Sequence, residues 1–374
     1  MILPGATLGL LGGGQLGRMF TIRAREMGYR VTVLDPDPQS PAGQVADRHL
    51  GAAYGDRGAL DELARTCAAV TTEFENVPAA TLEALASRVP VRPPVHAVAI
   101  AQDRIAEKSF LRERGFPTAP FRAVARTADL AGALAEVGAP ALLKTSRLGY
   151  DGKGQAGIGS PADLEEAFDR FGGVPCVLER RLALEAELSV VLARGADGEV
   201  RPFPVAENRH ANGILETTVV PATVPARLAA DALDLAGRVA TALEYVGVLA
   251  VELFVADGSL SVNELAPRPH NSGHWTLDAC ATDQFEQQLR AVCGLPLGSA
   301  ELLSPVAMVN LLGDLWAKGE PRWEGVFRLP GAKLHLYGKA EARPGRKMGH
   351  LNVLARTPEQ ALRLALEARD ALAR

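Results

Sequence analysis

At 374 residues the chain exceeds one ordinary hydrophobic core, so two or three packed units of sheet and helix are expected. With 47% hydrophobic residues, 22% charged residues and a formal net charge of -4, it reads as a soluble globular protein without the basic field that nucleic acid requires. Cys67, Cys176, Cys280 and Cys293 are scattered without a CxxC pair, which argues against a disulfide framework or a zinc site.

The apolar opening, residues 1–11, lacks a basic leader and runs into a glycine turn and Arg18, so a cytoplasmic protein is expected. No apolar run approaches the roughly 20 residues that cross a bilayer, and no membrane partner is expected. Residues 6–11, 15–27 and 30–35 read as strand, helix and strand. Residues 69–74, 77–87 and 90–92 continue the alternation, and Pro93-Pro94 closes a first unit near residue 94. Residues 103–114 have helical periodicity, and the breakers at 115–120 make a loop. Strand-like 141–144 and 155–158 flank Leu148-Gly149-Tyr150-Asp151-Gly152-Lys153-Gly154, a hairpin with a mobile loop and so a small lid-like unit. Strands at 176–179, 187–193 and 200–205, with a turn at Asp197-Gly198, precede a helix at 226–243. Strands at 248–255 and 260–264 join through Asp257-Gly258. Further strands near 306–311 and 333–337 and an amphipathic helix at 358–373 complete the chain. The expected division is a Rossmann-like domain over 1–94, a central subdomain over 95–180 and an α+β domain over 181–374.

Gly12-Gly13-Gly14-Gln15-Leu16-Gly17 sits between strand and helix, with Asp35 ending the next strand. That pattern suits a dinucleotide site, but glycines at a helix N-terminus bind any anion and also simply make a tight turn. The glycine-rich loop offers backbone amides for polyphosphate oxygens, a cation at Lys153, and Tyr150 and Asp151 to orient a second substrate; a surface hairpin is the alternative. Lys144 falls on a buried strand, where an ammonium needs a phosphate or a carboxylate partner. Glu252 and Asn263-Glu264 lie on adjacent strands and can converge on magnesium, although an Arg-paired carboxylate is the commoner use of such a Glu. The segment from Leu265 to Thr276 is dense in Arg, His, Asn and Ser beside those carboxylates. There Arg268 suits a small oxyanion that His270 and Asn271 position. Lys339 and the run from Arg343 to His350 form a basic cluster, which is either a solvated face or a phosphate-ester site.

Together, GGGQLGRM, GYDGKGQ, VELF, NELAPRPHNSGHWT and RPGRKMGHLN resemble, in order, the signature segments of the N5-carboxyaminoimidazole ribonucleotide synthases of the ATP-grasp superfamily. The resemblance implies an ATP-grasp fold, mixed α/β and α+β, with a Rossmann-like pre-ATP-grasp domain. It also implies that ATP and bicarbonate give carboxyphosphate, whose CO2 is attacked by the amine of aminoimidazole ribonucleotide. In that match Arg104, Lys144, Gly149, Tyr150, Asp151, Gly152, Lys153, Gly154 and Gln155 meet the ATP phosphates. Glu179, Arg180, Arg181, Leu182, Glu187 and His210 surround adenine and ribose. Glu252 and Glu264 hold magnesium, assisted by Asn263. Gly14, Gln15, Leu16, Glu73 or Glu75, Tyr150, Asp151, Lys339 and Arg346 bind the ribonucleotide. Arg268, His270 and Asn271, with Asp151 and Lys153, carry the chemistry on bicarbonate. Lys153 replaces an Arg found in some relatives and keeps the charge. A homodimer is expected. A formate-dependent glycinamide ribonucleotide transformylase is the nearest rival, and an NAD-linked oxidoreductase a distant one.

Overall fold

The computed structural model describes residues 1–149 and 152–372. The chain opens with β1 (Thr7–Leu11), α1 (Gln15–Glu26), β2 (Arg30–Leu34), β3 (Arg48–Leu50), α2 (Arg57–Thr66), β4 (Ala69–Thr72) and α3 (Ala79–Ala86). The strands form a parallel sheet in the order β3-β2-β1-β4. Helices cover both faces, so these strands are near-continuous apolar runs and do not alternate. The strand order reverses at β1, and a crevice opens at its carboxyl end beside that of β4, where open parallel sheets gather ligands. The glycine turn and the 73–75 segment leave the sheet at that place. Residues 90–92, expected as a strand, make one bridge, Val70 to Val91, because Pro93-Pro94 ends the pairing.

Two helices, α4 (Val95–Ala101) and α5 (Arg104–Glu113), connect to a small antiparallel unit. Asp103 caps α5 by accepting from the amides of Ile105 and Ala106. The unit comprises β5 (Phe121–Val124), α6 (Leu130–Val137), β6 (Ala141–Thr145), β7 (Gln155–Ile158), α7 (Pro161–Arg170) and β8 (Cys176–Arg180), in the sheet order β5-β8-β6-β7. Lys144 pairs with Gln155, so the glycine-rich segment is the loop of the β6–β7 hairpin.

The rest is a nine-stranded antiparallel sheet. Its elements are β9 (Ala186–Arg194), β10 (Val200–Pro202), β11 (Ala206–Ala211), β12 (Ile214–Val220), α8 (Ala226–Ala242), β13 (Gly247–Ala256), β14 (Ser259–Ala266), α9 (Thr276–Ala279), α10 (Gln284–Cys293), β15 (Val306–Leu312), α11 (Glu324–Phe327), β16 (Ala332–Leu336), β17 (Lys347–Leu354) and α12 (Pro358–Leu372). The order is β14-β13-β9-β11-β12-β15-β17-β16, with β10 beside β9. Leu235, Ala236 and Val239 of α8 pack in one core with Leu188, Leu192 and Val251 of the sheet. On α10, Phe285, Leu289 and Val292 pack with Leu16, Phe20 and Ala24, which fixes the first domain against the large sheet. The polar stretch from Ala206 to Val220 and the basic run at 347–350 are strands although neither has an apolar pattern. Each lends one face to the site described next.

Candidate functional site

The glycine turn holds an anion of its own. Gly14 donates its amide to Glu73 Oε1 at 2.7 Å and Gly17 to Glu73 Oε2 at 2.8 Å. A Cβ on Gly14 would collide with Glu73 Oε1, so glycine is required for this close approach. Burial pushes the Glu73 carboxyl up, against the pull of those two amides. Asp35 is committed to the turn as well: it accepts from Gly13 at 2.8 Å, from Asp37 at 2.8 Å and from the Tyr54 hydroxyl at 2.7 Å. A dinucleotide ribose would find no free carboxylate there. Leu16 is buried in the core with α10, so its side chain is not available to a ligand, and Gln15 begins α1.

From the same crevice Glu75 reaches Arg268, Oε2 to Nε at 2.5 Å. Burial alone would raise the Glu75 carboxyl, but the guanidinium outweighs it and holds it below the usual range. Glu75, Asn76, Arg104, Glu107, Glu264 and Arg268 line one narrow cleft between all three sheets. Arg104 crosses it, donating to the carbonyls of Thr145 and Gly149 at 3.2 and 3.0 Å and lying 3.7 Å from Glu264 Oε2. The glycine loop is thus tied to β14.

Glu252 and Glu264 are register partners on β13 and β14. Burial, then the repulsion of Glu264, raises the Glu252 carboxyl to about 7. Asn263 donates to Glu252 at 3.5 Å, while its own Oδ1 is buried without a hydrogen-bond partner among the described residues. Two carboxylates with an orphaned amide oxygen are the hard donor set that a divalent cation shared with phosphates takes. His270 Nε2 stands 3.4 Å from Glu252 Oε1. Asn271 is turned away from this point, because its amide exchanges two hydrogen bonds, of 3.0 and 2.7 Å, with Asn310.

Toward the small sheet, Glu179 lies between two ammonium groups, Lys144 Nζ at 2.9 Å and Lys108 Nζ at 3.3 Å. Glu187 Oε2 meets His210 Nδ1 at 2.8 Å as an ion pair rather than an aligned hydrogen bond. The Arg180 side chain donates to the Val137 carbonyl at the end of α6, and the Arg181 amide to that of Pro140 just before β6, so both are held by the small antiparallel unit. Leu182 follows in the linker to β9. Gly154 has φ +69°, and a Cβ there would lie 2.6 Å from Thr145 Oγ1, which keeps the loop base tight beside Gly149, while Gly152 lies against Asn212 and Gly213. Gln155 begins β7, and the Lys153 side chain is exposed. Tyr150 and Asp151 lie outside the described residues.

At the far edge, Lys339 donates to the Lys347 carbonyl at 2.6 Å, and Arg346 to that of Glu341 at 2.8 Å. Lys347 acts electrostatically on Glu252, His210 and His270. It was visible in sequence only as one of a basic run. Lys108 and Glu107 were missed, although both fall on the helical face of Leu111, where a buried charge signals a partner.

Family models match from end to end: the ribonucleotide synthetase preATP-grasp domain over residues 5–102, the ATP-grasp domain over 109–285 and the phosphoribosylaminoimidazole carboxylase C-terminal domain over 306–364. An N5-carboxyaminoimidazole ribonucleotide synthase of Bacillus subtilis is 46% identical over 361 residues, 96% of this chain and 94% of that one. The chain belongs to the N5-carboxyaminoimidazole ribonucleotide synthase family. A Brucella melitensis synthase is 47% identical over 351 residues, 93% of this chain and 96% of its own length. Among solved synthases, an ADP complex superposes with a TM-score of 0.93 at 45% identity, covering 100% of this chain and 99% of the other. The Aspergillus clavatus synthase, in complex with ADP and 5-aminoimidazole ribonucleotide, gives 0.90 at 34% identity, with 98% of both chains covered. The fold is therefore the ATP-grasp of this synthase family, with its pre-ATP-grasp domain in front.

Proposed function

We propose that the chain carboxylates 5-aminoimidazole ribonucleotide to N5-carboxyaminoimidazole ribonucleotide with ATP and bicarbonate, releasing ADP and phosphate, in purine biosynthesis. The observation that carries this reading is the single cleft in which Arg104, Glu264 and Arg268 meet, in a chain aligned along nearly its whole length with synthases of that name. Arg104, Lys144 and the amides of the glycine loop hold the ATP phosphates, with Glu179, Leu182, Glu187 and His210 around adenine and ribose. Glu252 and Glu264, with Asn263 Oδ1, would hold magnesium, which when bound neutralises charge on the transferring phosphoryl group.

Arg268, anchored by Glu75, presents its remaining N–H donors to bicarbonate, and burial together with Arg268 and Lys347 keeps His270 neutral beside it. A bicarbonate oxygen attacks the γ-phosphorus and ADP leaves. Carboxyphosphate then breaks its C–O bond, giving phosphate and CO2, and the ribonucleotide amine attacks the CO2 carbon and gives up one N–H proton to the released phosphate. Asn271 positions this loop through Asn310. Tyr150 and Asp151, with Lys153, orient the amine and its ribose, an assignment that rests on the sequence match. Because Glu73 already fills the amides of the glycine turn, the substrate phosphate is assigned to Lys339, Arg346 and Lys347 and not to Gly14–Leu16. A cytoplasmic homodimer belongs to the same proposal; among the described residues no helix is long and apolar enough to cross a membrane.

Coupled ADP release with bicarbonate tests the reading. Turnover is expected with aminoimidazole ribonucleotide and not with glycinamide ribonucleotide plus formate. The reverse preference would overturn it.

A further inference from the structure

We propose that Asn208, Ser189 and Ser272 form a hydrogen-bonded relay that keeps the His270 Nδ1 bare and its ring proton on Nε2, so that a permanent donor faces Glu252. The relay concerns the ring itself; its bearing on catalysis rests on the reading of the cleft given above.

The backbone supplies the fixed point. Ser272 donates its amide to His270 Nδ1 at 3.3 Å, and an amide can only donate, so Nδ1 carries the lone pair. The hydroxyls agree with that direction. Asn208 Nδ2 donates to Ser189 Oγ at 3.0 Å, Ser189 donates to Ser272 Oγ at 2.8 Å, and Ser272 Oγ lies 2.9 Å from Nδ1. Each hydroxyl receives one proton from behind and is left with its own to pass forward. Thr218 sets the start by donating to Asn208 Oδ1 at 2.9 Å, which turns the amide NH2 toward Ser189. Ser189, Asn208 and Thr218 stand on β9, β11 and β12, three adjacent strands, and all are buried, so water does not compete for these bonds.

The backbone that carries the ring is held as well. Gln284 accepts from the His270 amide and donates to its carbonyl, each at 2.8 Å. With Nδ1 occupied by two donors, the one proton of a neutral imidazole sits on Nε2, 3.4 Å from Glu252 Oε1. The other tautomer would turn a lone pair toward that carboxylate, an electrostatically unfavourable contact. Ser272 and Ser189 are therefore positioning residues, acting through His270.

The test uses the full chain labelled with 15N at histidine, whose seven imidazoles are few enough to assign with a His270→Gln variant. Ring-nitrogen shifts of the substrate-free wild type are expected to report a protonated Nε2 and a bare Nδ1 at His270. Ser272→Ala should convert that signal to a mixture of tautomers and lower kcat about tenfold, the usual scale for such outer contacts, with KM for ATP unchanged. Ser272→Thr should restore both, and Ser189→Ala should give a milder version. A wild-type ring protonated at Nδ1, or a Ser272→Ala spectrum identical to wild type, would overturn the relay. A shifted tautomer with full turnover would overturn its role in the reaction. The spectrum is read without substrates, so a protein inactive toward aminoimidazole ribonucleotide would refute the proposed function and leave this measurement standing.

Discussion

Glu252 and Glu264 face each other across neighbouring strands, so two carboxylates converge where Asn263 offers an unsatisfied oxygen. A divalent cation held there, as proposed, would relieve that repulsion, and removing one carboxylate would remove most of the proposed site. Glu264→Gln should lower kcat by at least about a hundredfold at saturating magnesium. Its thermal midpoint should not fall. Steady-state turnover beside a thermal melt checks both, and wild-type turnover would refute the metal assignment.

The Glu179 carboxylate is buried between the ammonium groups of Lys108 and Lys144. Burial acts to raise its carboxyl, but the two ammonium groups outweigh this and keep it below the usual range. Lys108→Met strands part of a buried charge and should cost roughly 3–5 kcal/mol of stability. Adding Glu179→Gln should recover much of the loss, because the uncompensated carboxylate is then gone. Denaturant unfolding of the single and double variants measures the coupling.

His210 gives the pH dependence. Burial lowers its pKa, but the Glu187 carboxylate outweighs burial, and the folded value lies above 6.5. A raised imidazole contributes stability that is fully present below its unfolded pKa and is lost as pH rises through the folded value. This contribution should therefore decline as pH climbs above 6.5, and Glu187→Gln should flatten it. Urea unfolding on both sides of that pH shows the difference.

Lys339 and Arg346 belong to the cluster assigned to the ribonucleotide phosphate. Loss of one charge-assisted contact of about 1.5–3 kcal/mol should weaken ribonucleotide binding by roughly ten to a hundredfold in Arg346→Ala or Lys339→Ala. ATP affinity should hardly move. Titration with the nucleotide and its dephosphorylated nucleoside checks this: the variants should lose most of the wild-type preference for the nucleotide. An unchanged ratio would mean that the cluster is a solvated surface.

Much of this was legible in the sequence, for physical reasons. The β6–β7 and β13–β14 hairpins declared themselves through glycine turns between apolar runs, and the facing of Glu252 and Glu264 followed from the second of them. The glycine turn at 12–17 was the ambiguous case. Its pattern specifies an anion at a helix N-terminus but not whose anion, and here Glu73, remote in sequence, supplies it. Asn271 read as a catalytic polar group because nothing local reveals that Asn310 occupies its amide. β11 and β17 were hidden because strands facing a polar site lose the alternation that betrays a half-buried strand. The partners of Lys108 and the serines behind His270 meet only across strands, which local pattern does not encode.

The central claim is that ATP activates bicarbonate before the amine is carboxylated. If bicarbonate attacks the γ-phosphorus and carboxyphosphate then breaks at its C–O bond, the bridging oxygen must leave with phosphate. The most direct measurement is a single turnover in 18O-labelled bicarbonate with ATP and aminoimidazole ribonucleotide, followed by mass analysis of the inorganic phosphate. One 18O per phosphate is the predicted result, and phosphate free of label in a turnover that yields the carbamate would contradict it.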